Sequence, residues 1–130
     1  MSKIIAIDFD GTIVHDNFPG IGELKPNAKH VINKLHQEGY FIIVWTCRTQ
    51  NRGAEAEQFL IDNGIKFDKI NESCPVNVDK FSGLDTRKVF ADLYIDDKGL
   101  ILLPDWTAIY DIIHDRCPCY ADKVAIDGYL

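Results

Sequence analysis

Residues 4–12 read Ile4-Ile5-Ala6-Ile7-Asp8-Phe9-Asp10-Gly11-Thr12, a continuous apolar run that stops at an acidic, glycine-containing turn. An apolar run without alternation describes a strand buried on both faces, the pattern of a parallel sheet. The first strand is predicted from Lys3 to Ile7, and Tyr40 to Trp45 (Tyr-Phe-Ile-Ile-Val-Trp) repeats the pattern as a second. Ala91 to Ile95 is a weaker third candidate and Phe67 to Ile70 a short fourth. Between the first two strands Ala28, Val31, Ile32 and Leu35 fall at i, i+3, i+4 and i+7, with Pro26 before and Gly39 after, which predicts an amphipathic helix. Ala56, Phe59 and Leu60 predict a second helix starting near Glu55 and closed by Gly64. Asp105 is the expected N-cap of a last helix carrying Trp106, Ile109, Tyr110 and Ile113 on one core-facing side. Strands alternating with helices imply right-handed βαβ units. The expected class is therefore α/β, a three-layer doubly wound (Rossmann-like) parallel sheet with helices on both faces. Residues 71–87 show no period and are expected to form a long loop.

At 130 residues the chain is long enough for one core, and a single domain over 1–130 is expected. Its 46% hydrophobic and 26% charged content is that of an ordinary globular protein, not of a disordered or fibrous one. No apolar run approaches a membrane span, and the run after Met1 is too short for a signal peptide, so a cytoplasmic protein without membrane attachment is expected. A net charge of −6 without a Lys/Arg cluster disfavours nucleic acid as a partner. Cys47, Cys74, Cys117 and Cys119 match no common zinc pattern and are read as reduced thiols, with a metal or redox role for Cys117 and Cys119 left open.

In doubly wound sheets ligands bind beyond the carboxyl ends of the strands. After the first strand stand Asp8, Asp10 and Gly11; after the second, Thr46, Cys47 and Arg48; after the third candidate, Asp96 and Asp97. Four carboxylates thus converge on one edge, and like charges so close demand a counterion, for which Mg²⁺ is the small hard cation suited to oxygen ligands. Asp8 and Asp10 are two apart, so a regular continuation of the strand would put them on one face.

The run Asp8-Phe9-Asp10-Gly11-Thr12, followed by Thr46, Lys88 and the Asp96-Asp97 pair, resembles the four-motif signature of the haloacid dehalogenase superfamily. The resemblance spans residues 8–97, and the stretch Arg87 to Asp105, continuing to Trp106, is similar to small capless bacterial and phage members. It implies a Mg²⁺-dependent phosphohydrolase. Asp8 would be the nucleophile that becomes an aspartyl phosphate, and Asp10 the general acid and then base. The metal set would be Asp8, Asp10 through its backbone carbonyl, Asp96 and Asp97, the last directly or through water. Thr46 and Lys88 would bind the phosphoryl group, with Lys80 the competing lysine. An Asp at position 10 favours an alcohol leaving group over a halide, hence a phosphatase.

Arg48 is expected either to line the pocket or to pair with a nearby acid, and Cys47 to line the pocket or be buried. His15 falls in the segment that in this superfamily bends over the site. Neither usual cap position is long enough for a domain, so the site should be open, which in relatives goes with a large phosphorylated substrate or with a homo-oligomer. Two other classes stand beside this reading: a phosphoacceptor receiver domain, whose motif order differs, and a catalytically idle binding or regulatory module.

Overall fold

The computed structural model describes residues 3–80 and 83–117. The elements run β1 (Ile4–Ile7), α1 (Ala28–Gln37), β2 (Phe41–Val44), α2 (Gln50–Asp62), β3 (Lys69–Ile70), α3 (Pro75–Lys80), β4 (Leu93–Ile95) and α4 (Trp106–Cys117). All four strands are parallel, in the order β3-β2-β1-β4. Ile7 is level with Val44 on one side and with Ile95 on the other, so the residues that follow these three strands emerge along one edge. The chain passes from β1 outward to β2 and β3, then returns across the sheet to β4. The strand order therefore reverses between β1 and β4, and the crevice beyond their carboxyl ends is where a doubly wound sheet takes its ligand. A receiver domain has the order 2-1-3-4-5, with its third strand beside the first; here β3 lies at the far edge, which excludes that reading.

Strand alternation divides the core in two. Ile5, Ile7, Ile42, Val44 and Ile95 face a layer made by Ala28, Val31, Ile32 and Leu35 of α1, Ala56 and Leu60 of α2, and Trp106, Ile109 and Ile113 of α4. Ile4, Ala6 and Ile43 point the other way, where Val89 and Ala91 of the β3–β4 connection cover them with help from Trp45 and Cys74. Burying each such aliphatic side chain stabilises the fold by roughly 1.5–3 kcal/mol, which is why β1 and β2 form although each is only four residues long.

Two carboxylates bond to the beginnings of these strands: Asp92 accepts the Ile4 N–H at 2.7 Å and Asp68 the Ile42 N–H at 2.8 Å. The last helix is capped as expected, with Asp105 Oδ1 accepting the Ala108 N–H at 2.9 Å. Two expectations are corrected. Helix α2 begins at Gln50, well before Glu55, because its first turn Gln50-Asn51-Arg52-Gly53 is polar and gives no periodic signal. Residues 71–87 are not all loop: α3 occupies Pro75–Lys80, less than two turns, too short for a hydrophobic period. Cys119 and the side chain of Cys117 lie outside the described residues.

Candidate active site

The first motif does not continue β1. Thr12, Ile13 and Val14 all direct their N–H groups at the Phe9 carbonyl, while Gly11 N–H bonds to Val14 O at 2.8 Å. Gly11 adopts φ +83°, and a Cβ there would collide with the Asp97 carboxylate, so glycine is required twice over. Two side chains fix the carbonyls of this turn: Lys25 Nζ donates to Gly11 O at 2.5 Å and Trp106 Nε1 to Thr12 O at 2.9 Å.

The turn sends the two acids of the motif to different partners, correcting the expectation of a shared face. Asp8 joins Asp96 and Asp97, one carboxylate oxygen of each lying within 4.8 Å of the others. Beneath them the buried Thr12 hydroxyl lies 3.1 Å from Asp8 Oδ2 and 3.5 Å from Asp97 Oδ1, and it accepts the Asp97 N–H at 3.1 Å. Asp10 turns instead to Arg48, whose Nε meets Asp10 Oδ2 at 2.7 Å and whose Nη2 meets Asp10 Oδ1 at 2.8 Å. Of the two sequence readings of Arg48, pairing with an acid is what the structure shows; Cys47 is exposed, not buried.

Burial first, then the hydrogen bond to Asp97 and the charge of Asp96, push the Asp8 carboxyl up to about 8. For Asp97 burial also opposes ionisation, but the hydrogen bond from Asp8 and the Lys98 ammonium, 3.5 Å away, outweigh it and hold Asp97 low. Asp8 is thus the member of the pair that favours its protonated form, and Asp97 the ionised one. Three carboxylates offering only oxygen donors at this spacing fit a hard divalent cation, and such a cation would replace that proton.

Thr46 follows β2 and is buried; its hydroxyl oxygen accepts the Arg48 N–H at 3.1 Å, which leaves the O–H free to donate. Its backbone is gripped by Asn71, which accepts the Thr46 N–H at 2.8 Å and donates to the Thr46 carbonyl at 2.9 Å. Lys88 is exposed and sits with its Nζ 4.8 Å from the centre of the Tyr94 ring, making no ion pair with the three carboxylates. Lys88 therefore lies on the side of β4 to which Tyr94 points. Lys80 ends α3 and is exposed.

Between Val14 and Leu24, which form an antiparallel bridge, the chain makes a hairpin flap over residues 15–23, its neck closed by His15 N–H to Glu23 O at 2.8 Å. His15 is exposed on it. The sequence reading missed Thr12, Asn71 and Lys98 as site residues, although each stands directly in or beside a strand-end motif.

No family model and no curated protein matches the chain. Among the described residues no helix is long and apolar enough to cross a membrane. A solved structure of a conserved protein from Bacteroides thetaiotaomicron is similar, with 36% sequence identity and a TM-score of 0.80 over 89% of this chain and 93% of that one. Identity at this level across nearly both whole lengths means that the chain belongs to one family with that conserved Bacteroides protein.

Proposed function

We propose that the protein is a Mg²⁺-dependent phosphomonoesterase of the haloacid dehalogenase type that works through an aspartyl phosphate on Asp8. The observation that carries this reading is the gathering of Asp8, Asp96 and Asp97 at the point where the strand order reverses. The resemblance of the motifs supplies the chemistry, and the hydroxyl of Thr46 after the neighbouring strand supports it.

Asp8, Asp96 and Asp97, with the Asp10 backbone carbonyl, would hold Mg²⁺. Bound there, the ion supplies the positive charge that lets a carboxylate approach a phosphate dianion. An Asp8 oxygen forms a bond to phosphorus as the bond from phosphorus to the leaving oxygen breaks, and Asp10 gives that oxygen a proton. Asp10 then takes a proton from water as the water oxygen attacks phosphorus, the acyl phosphate breaks, and inorganic phosphate leaves with Asp8 regenerated. Thr46 donates its O–H to a phosphoryl oxygen, and Lys88 swings from Tyr94 to neutralise another.

Borohydride trapping tests this directly. Reduction of protein quenched during turnover of para-nitrophenyl phosphate converts an aspartyl phosphate to homoserine, which mass spectrometry locates. Homoserine at position 8 supports the reading; turnover without it, or with it at another residue, overturns it.

A further inference from the structure

Leu100-Ile101-Leu102 is the most exposed apolar stretch among the described residues: Leu100 is 100% exposed, Ile101 77% and Leu102 91%. Single exposed aliphatic side chains are ordinary, but three in a row present water with a contiguous apolar surface, the mark of an interaction site. They lie beyond β4, the outer strand of the sheet on this side, and before α4. Beside them runs a groove of about 350 Å³ between β4 and α4. Its walls include Leu93 and Ile95 of the strand, Ile109 and Ile112 of the helix, and Ile101 and Leu102 of the connecting segment. Leu100 takes no part in those walls and stands as a knob next to the hollow. One face thus carries both a projecting side chain and a recess of the same apolar character. That is what a contact between two identical faces requires, because under a two-fold axis the same patch serves both copies.

The extent of the face agrees. An aliphatic side chain buries on the order of 100 Å² of apolar surface. The three open side chains and the groove walls that receive them therefore supply about half of the roughly 800 Å² per partner that a stable pair buries, as the apolar centre of the contact.

The face is also polarised along its length. Helix α4 starts at the carboxyl edge of the sheet, where Trp106 bonds to the Thr12 carbonyl. It ends near the opposite edge, where the Tyr110 hydroxyl donates to Glu38 at 2.6 Å and His114 Nε2 lies 3.0 Å from the same carboxylate, just ahead of β2. Lys98, 80% exposed, marks the carboxyl-edge end of the face. Asp111 and Asp115, exposed one turn apart beside Ile112, mark the other. A two-fold axis across the groove runs the two faces in opposite directions and sets the basic end of each against the acidic end of the other.

We propose that the protein forms a two-fold homodimer through this face, Leu100 of each protomer entering the groove between β4 and α4 of its partner. The proposal does not depend on the phosphomonoesterase reading, and its test reads mass rather than activity.

The test is sedimentation equilibrium of the full chain over a dilution series, beside Leu100→Glu, Leu102→Glu and Asp115→Lys, with thermal melts to establish folding and amide exchange of residues 99–103. Wild type should run at the mass of two 14.8 kDa chains, with exchange at 99–103 slowing as the dimer forms. Two-fold symmetry counts every substitution twice, so each Glu variant should raise the dimer Kd by at least about 100-fold and Asp115→Lys by about 5-fold. Wild type that stays monomeric at every concentration overturns the proposal; slow exchange at 99–103 in that monomer then assigns the cover to residues 118–130 of the same chain, and fast exchange to a different protein. A dimer that survives both Glu substitutions places the contact elsewhere and overturns it as well. So does a Glu variant that fails to fold, since its side chain would then be buried in the monomer. An Asp115→Lys dimer as tight as wild type overturns the two-fold orientation.

Discussion

The Thr12 hydroxyl touches both Asp8 and Asp97, which meet although 89 positions separate them, and burial beside Asp97 and Asp96 pushes the Asp8 carboxyl up to about 8. The parallel pairing of β1 with β4 makes this possible, because Asp8 N–H bonds to Ile95 O at 2.9 Å and so brings the start of one loop against the start of the other. The electrostatic cost of that meeting is the basis of the first prediction.

Metal-free protein should lose stability as pH rises from about 4 to about 8. The Asp8 carboxyl holds its proton up to about 8 in the folded chain and releases it near the ordinary carboxylate value, 3.8, when unfolded. Across that window the folded state binds more protons, so raising pH favours unfolding. Asp97, held low, acts only below the window. Thermal melts in EDTA at pH 5 and pH 8 should show the lower Tm at pH 8, by about 4 °C for each kcal/mol, and Asp8→Asn should flatten the difference. Mg²⁺ should raise Tm more at pH 8 than at pH 5, since its ligands must be deprotonated. A metal-free Tm that climbs from pH 5 to pH 8 contradicts the raised Asp8 carboxyl.

Thr12→Val keeps shape but leaves the Asp97 N–H without its acceptor and Asp8 without its hydroxyl neighbour. A loss of about 1–3 kcal/mol is expected from denaturant unfolding, together with weaker Mg²⁺ binding by calorimetry. Thr12→Ser should restore most of both.

Lys88 and Lys98 offer a contrast. Lys98 touches Asp97 but is 80% exposed, and an exposed ion pair contributes little. In the proposed mechanism Lys88, whose exposed ammonium rests over the Tyr94 ring, moves to the phosphoryl group. Lys88→Ala should therefore lower kcat/KM by about 100-fold or more, and Lys98→Ala by less than about 5-fold. The reverse order would transfer the phosphate-neutralising role to Lys98.

How far the sequence carried the reading depends on which interactions were local. The buried runs Ile4–Ile7 and Phe41–Val44 declare themselves because burial on both faces leaves no alternation. The carboxylates of the three-membered cluster were legible because strand ends in a doubly wound sheet converge whatever lies between them. The start of α2 was not, since its first turn buries nothing, and α3 was too short for a period. The fate of Asp10 was illegible for another reason. Parity along the strand put it beside Asp8, but a turn closed on the Phe9 carbonyl redirects it, and its partner Arg48 is 38 positions away. Likewise Lys88 was placed by motif order alone, and its contact with Tyr94 depends on how the β3–β4 connection crosses the sheet.

The central claim, metal-assisted phosphoryl transfer to Asp8, is tested most directly by phosphate release from para-nitrophenyl phosphate, comparing wild type with Asp8→Asn, each with Mg²⁺ and with EDTA. Turnover confined to wild type with Mg²⁺, with Asp8→Asn folded and inactive, is the predicted result. Folded wild type that releases no phosphate with Mg²⁺, or Asp8→Asn that retains substantial activity, would contradict it.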